Sequence, residues 1–203
     1  MKVVLGGEGS NELGGRANPH PYQTDDRGVL EALLRRVRPD GWQVVDAIAW
    51  KRIRKFRAGD HADAEERNVR GLVLAAKERS ADVVAFSRDA DGDGPQHRQR
   101  CDAVSAGIAW ARENFPDGPA VIGGMAIRML ESWGLASLGE HGTEALRREG
   151  LAAALKRQQI PEKDTRAMVA RIDDANLAML PPDATSLRSW LERAGAVLGA
   201  AKS

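Results

Sequence analysis

ADVVAFSRDADGDG, residues 81–94, opens on an apolar run and closes on three carboxylates, Asp89, Asp91 and Asp93. The run ADVVAF has the length and unbroken apolar character of a buried strand. The amino terminus repeats the arrangement: MKVVL, residues 1–5, leads into GGEGSNELGG, which carries Glu8 and Glu12. Carboxylates leaving the carboxyl ends of parallel strands stand where open α/β sheets place their ligands. Several converging there repel one another unless a cation intervenes, and oxygen-only ligation suits Mg²⁺ or Mn²⁺. A divalent-metal site for phosphate chemistry is the first expectation.

Outward from these stretches, strands and helices alternate. Residues 2–5 form the first strand, and the Gly-, Asn- and Pro-rich stretch Ser10–Thr24, with the only tyrosine, Tyr22, reads as a loop. Asp25 and Asp26 are expected to cap a helix that presents Val29, Leu30, Leu33, Leu34 and Val37 on one face. WQVVDAIAW supplies a second strand, residues 62–77 a helix, ADVVAF a third strand, and Pro95 the first turn of a helix reaching Asn114. PAVIGG is a short fourth strand, and from Met125 onward the pattern is helical. The predicted class is α/β: a mostly parallel sheet with helices on both faces over residues 1–135, followed by an α-helical extension over residues 136–203.

Composition narrows the partners. A formal net charge of +1 gives no bulk basic signal, so nucleic acid would have to be met by a local patch. The run Lys51, Arg52, Arg54, Lys55 and Arg57, broken by Ile53 and Phe56, supplies one, and is read as a phosphate-backbone contact in preference to a solvated strand end. Cys101 is the single cysteine, which excludes an internal disulfide and a multi-cysteine zinc site and reads as a packed thiol. The amino-terminal apolar stretch is too short for a signal peptide, and no run approaches the ~18 apolar residues that span a membrane. A soluble, cytoplasmic chain without membrane contact is expected. His20, His61, His97 and His141 show no ligand spacing.

Residues 89–94 match the first six positions of an EF-hand loop, but Arg100 stands where the bidentate Glu belongs and a strand precedes the loop. The calcium reading fails. Strand geometry serves better: alternate side chains point the same way, so Asp89 and Asp91 can share one metal or bracket a pair. Glu8 would supply a third carboxylate, and Glu12 joins it if residues 8–12 turn helically.

An apolar strand ending in Glu-Gly, followed by one ending in Asp-x-Asp, resembles the TOPRIM domain of topoisomerases, primases, small ribonucleases and overcoming-lysogenization-defect nucleases. The form Glu8-Gly9-Ser10-Asn11-Glu12 is closer to the nuclease branch. MAIRMLESWGLAS, with Glu131 and Trp133, is similar to a segment of a bacterial TOPRIM-like family of about this length whose members often lie beside an ATPase gene. No tyrosine nucleophile with gate domains, no zinc module and no G-x-x-x-x-G-K-[ST] phosphate loop is present, which leaves a stand-alone nuclease or the nuclease subunit of an ATPase-linked defence system.

The resemblance implies metal-dependent phosphodiester hydrolysis. Glu8, Asp89 and Asp91 would hold one or two Mg²⁺ or Mn²⁺ ions, Glu8 would serve as general base if one ion binds, and Glu12 and Asp93 would be auxiliary ligands. Glu131 is either a further ligand or a helix carboxylate paired with an arginine, and Trp133 reads as a packing residue. The rival from another class is a non-catalytic TOPRIM-like module that binds nucleic acid or an ATPase. An Asp-x-Asp phosphatase ranks last, because its motif belongs on the first strand. In the extension, Leu187, Trp190, Leu191, Ala194 and Leu198 form an apolar stripe, expected to fold back on this chain in preference to forming a homodimer or an ATPase interface.

Overall fold

The computed structural model describes residues 1–17, 26–56, 61–90 and 94–199. Its centre is a four-stranded, all-parallel sheet of β1 (Lys2–Gly7), β2 (Gln43–Ala49), β3 (Val83–Asp89) and β4 (Ala120–Ala126), in the order β2-β1-β3-β4. Helices α1 (Ser10–Leu13) and α2 (Val29–Val37) lie between β1 and β2, α3 (Ala64–Glu78) between β2 and β3, and α4 (Pro95–Asn114) between β3 and β4. Beyond β4 come α5 (Leu130–Ser137), α6 (Arg148–Arg157), α7 (Thr165–Asp174) and α8 (Thr185–Gly199). The α/β class and the parallel sheet with helices on both faces agree with the sequence.

The apolar runs are continuous because both sheet faces are covered. Val3, Leu5, Val83, Ala85 and Ile122 face a core shared with α2, α5 and α8, whereas Val4, Val84 and Phe86 face a second core under α3 and α4. From β1 the chain crosses to β2 on one side, and from β3 to β4 on the other. The order therefore reverses between β1 and β3, and the crevice at a reversal point is where such sheets bind ligands. Glu8 and Asp89 stand at that gap.

The apolar stripe of α8 is spent on this chain: Leu187, Trp190, Ala194 and Leu198 are fully buried. The Trp190 ring lies 5.7 Å from that of Trp133, and its Nε1 donates to the Phe86 carbonyl at 3.0 Å. Trp133 is thus a packing residue, its own Nε1 bonded to Ser186 Oγ at 2.7 Å. Buried Glu144 accepts from Thr185 Oγ1, Ser186 N and Ser186 Oγ, so a carboxylate from outside the helix caps α8.

Two local readings change. The first part of the expected loop is ordered as α1 and a 3-10 turn over Gly14–Ala17. The cause is Glu12, whose Oε2 accepts the Gly9 N–H at 2.8 Å and closes the turn on itself. Helix α2 starts at Val29 with Gly28 as its cap; Asp26 instead receives Arg166 at 2.6 Å, and Asp25 lies outside the described residues, as do His20 and Tyr22. Glycine is required there because the backbones of Gly14, at φ +61°, and Gly28 cross so closely that a Cβ on either would collide with main chain. No helix among the described residues is long and apolar enough to cross a membrane.

Candidate functional site

At the carboxyl ends of β1 and β3 lies a cleft of about 430 Å³, bordered by Glu8, Glu12, Asp89 and Glu131. Alternation along β3 sends Asp89 toward the cleft and Arg88 to the opposite face, under α3. Arg88 forms ion pairs with Glu8 and, at 3.0 Å, with Glu65, and its guanidinium stands 5.9 Å from the Trp50 ring centre. Glu65 also accepts from Trp50 Nε1 at 2.6 Å, so α3 holds the arginine from behind. Glu8 Oε1 accepts the Asp89 N–H at 3.2 Å, which places the first carboxylate directly against the strand end that bears the second. Arg100 donates to the carbonyls of Asp89 and Ala90 at 3.1 and 3.2 Å and fixes the chain as it leaves β3.

Glu12 is almost fully buried at 4% exposure. Burial raises its pKa above the ordinary carboxylate value, the N–H groups of its own residue and of Gly9 oppose this, and the Glu131 charge adds to the rise. Glu131, in the first turn of α5, accepts from Asn11 Nδ2 at 2.9 Å, and Asn11 Oδ1 accepts from Thr165 Oγ1 at 2.8 Å. Its partner is therefore an amide rather than an arginine. The chain of bonds ties α1, α5 and α7 together at the cleft.

Of the expected ligands, the structure gathers Glu8, Glu12, Asp89 and Glu131 around one cleft, and Asp91 and Asp93 lie outside the described residues. Among the described residues no three acidic, histidine or cysteine side chains are set to hold a metal ion. As a donor set the site is oxygen-rich, the kind of set that suits a hard divalent cation, and Glu8 reaches the peptide N–H of Asp89 at the strand ends.

The opposite wall has no signature in the sequence. Arg148 opens α6, Glu162 and Lys163 precede α7, and all three border the cleft. Lys163 sits at φ +63°, a left-handed conformation that costs a non-glycine residue about 1 kcal/mol. Arg88, Glu65 and Asn11 were missed as well. For Arg88 a signal existed, because a cation one residue before Asp89 must point to the other sheet face and find an acid there.

The basic run follows β2. Lys51, Arg52, Arg54 and Lys55 are exposed and have no ion pair among the described residues, Ile53 is buried, and Arg57 lies outside them. Phe56 packs on Trp110 with ring centres 5.3 Å apart, so the two apolar members anchor the run and leave its cations in solvent. His97 lines a different groove, beside the half-buried Cys101.

Comparison with protein families, curated proteins and solved structures finds no match.

Proposed function

We propose that this chain is a TOPRIM-like, Mg²⁺- or Mn²⁺-dependent nuclease that hydrolyses phosphodiester bonds of nucleic acid in the carboxylate cleft. The observation that carries the reading is the hydrogen bond from the Asp89 peptide N–H to Glu8 at the reversal point of the sheet, inside a cleft that Arg148 and Lys163 also border. Glu8 and Asp89, with Asp91, are the residues to hold the ion, and Glu131 stands beside them. A divalent cation bound there polarises a phosphate and lowers the pKa of a bound water toward neutrality.

The chain's own groups supply the rest. Arg148 and Lys163 receive the non-bridging phosphate oxygens and orient the scissile bond toward the carboxylates. Glu12, whose burial favours its neutral form, is better suited to hold a proton at the cleft floor than to serve as the auxiliary ligand expected from sequence. Arg88 neutralises Glu8 until an ion does so, and Glu65 retains the arginine once Glu8 turns away. The exposed cations at residues 51–55 deliver the backbone of the nucleic acid.

One observation favours a second reading. Glu8 already has a cationic partner in Arg88, as expected of a module that binds nucleic acid or an ATPase without cutting. Labelled DNA and RNA incubated with the purified chain, with and without a candidate ATPase partner, separate the two. Cleavage that needs Mn²⁺ or Mg²⁺, stops with EDTA and disappears in Glu8→Gln and Asp89→Asn supports the nuclease. Binding without cleavage under every condition, unchanged in both variants, supports the module.

A further inference from the structure

We propose a second binding site, on the free edge of β4 and separate from the carboxylate cleft, that takes a small organic phosphate whose phosphate group is held by Arg112 and Arg193.

β4 is the last strand of the sheet, and its outer edge has no neighbouring strand among the described residues. Ala120 N–H donates to Asp82 and the Ala126 carbonyl accepts from Ala90, so the even-numbered residues of β4 bond to β3. In a parallel ladder the intervening residues then turn their N–H and C=O groups outward, here Val121, Gly123 and Met125. A groove of about 480 Å³ follows this edge between α4 and α8, a volume ordinary for a small-molecule site. One face of α4 lines it, with His97, Cys101, Ser105, Ile108 and Arg112 recurring every three or four residues, and Arg193 reaches in from α8.

Charge decides the ligand. None of the described residues lining the groove is acidic. Neither Arg112 nor Arg193 has a hydrogen bond or ion pair among the described residues, and the buried Nε of Arg193 lacks a partner there. Burial, and after it the nearby Arg112 charge, lower the pKa of Arg193, with the adjacent Glu192 opposing. Arg112 is exposed and Arg193 half-buried, and two like charges bordering one groove are relieved when an anion joins them. The Arg193 guanidinium lies over Gly124, where an added Cβ would come within 2.8 Å of its Nη2, so it rests on the strand edge itself.

Two guanidinium forks match the charge of a phosphate dianion better than that of a single carboxylate. The groove is larger than a bare phosphate, and the remainder mixes apolar Val104, Ile108 and Met125 with His97, Ser105 and Ser186, with the outward peptide groups available to a polar edge of the ligand. A second copy of this chain is disfavoured, because pairing two such grooves would bring four arginines together with no carboxylate between them.

Isothermal titration calorimetry of the full chain in EDTA, with inorganic phosphate and with adenosine 5′-monophosphate as probes, tests the site. Both probes should bind, the nucleotide more tightly, and Arg112→Gln and Arg193→Gln should each raise Kd about tenfold or more, the cost of a charge-assisted bond. Asp89→Asn should leave both affinities unchanged, which keeps this result independent of the nuclease reading. Unliganded Arg112→Gln and Arg193→Gln should unfold at the wild-type temperature or above it, since each removes a like-charged neighbour. Absence of binding by either probe, affinities indifferent to both arginines, or a loss in Asp89→Asn equal to theirs overturns the proposal. Equal affinity for the two probes overturns the organic ligand in favour of free phosphate.

Discussion

Replacing Trp190 by alanine tests how firmly the carboxyl-terminal helix belongs to the sheet. The side chain is fully buried, packs at a tilt against Trp133 with ring centres 5.7 Å apart and donates to the Phe86 carbonyl at 3.0 Å. Truncating a buried tryptophan costs about 3–5 kcal/mol in lost transfer energy and residual cavity, and the abandoned carbonyl adds about 1 kcal/mol more. A loss near 5 kcal/mol is a large share of the roughly 5–15 kcal/mol that stabilises a protein. For a chain of this length it corresponds to a fall in Tm of about 10–20 °C. Urea titration followed by tryptophan fluorescence measures it, with Trp190→Phe as the control that keeps most of the ring and loses the hydrogen bond. A loss below about 1 kcal/mol for Trp190→Ala would refute the docking of α8 on β4, because no buried tryptophan is removed that cheaply.

Glu144→Ala should destabilise the chain by about 2–3 kcal/mol in the same titration, since it strands the donors of Thr185 and Ser186 at the start of α8. The raised pKa of Glu12 means that the native state holds this proton more tightly than the unfolded chain does. Its contribution therefore falls as pH rises from the ordinary value of 4.5 through the raised native one, and Glu12→Gln should gain in Tm over wild type at pH 7–8 and match it near pH 4. Equal differences at both pH values would contradict this. Replacing Arg52, Arg54 and Lys55 by alanine should weaken nucleic-acid binding across sequences and flatten the log Kd against log salt slope by up to about 3, near 0.9 for each phosphate that is no longer neutralised; an unchanged slope makes the run a solvated edge.

The sheet was legible because burial on both faces writes unbroken apolar runs: Val83 to Phe86 could hardly be anything but a central strand. The same logic put Glu8 and Asp89 at neighbouring strand ends, and they do adjoin. What escaped was set by tertiary packing that leaves no period in the sequence. Helix α1 is only Ser10–Leu13, too short for a pattern, and depends on one carboxylate reaching back to Gly9. Arg148 and Lys163 sit among many arginines and lysines of a polar helical region, and only the approach of α6 and α7 to the strand ends distinguishes them. Glu144 caps a helix that begins 41 residues later, a distance no local capping rule covers.

Titration of the purified chain with Mn²⁺, read by the loss of the free-ion electron paramagnetic resonance signal, addresses the metal site without relying on activity. The wild type should bind one or two ions saturably. That binding should be lost in Asp89→Asn and Glu8→Gln, with Arg112→Gln indistinguishable from wild type. Saturable binding that survives both carboxylate substitutions, or none in the wild type at millimolar Mn²⁺, would contradict the metal site.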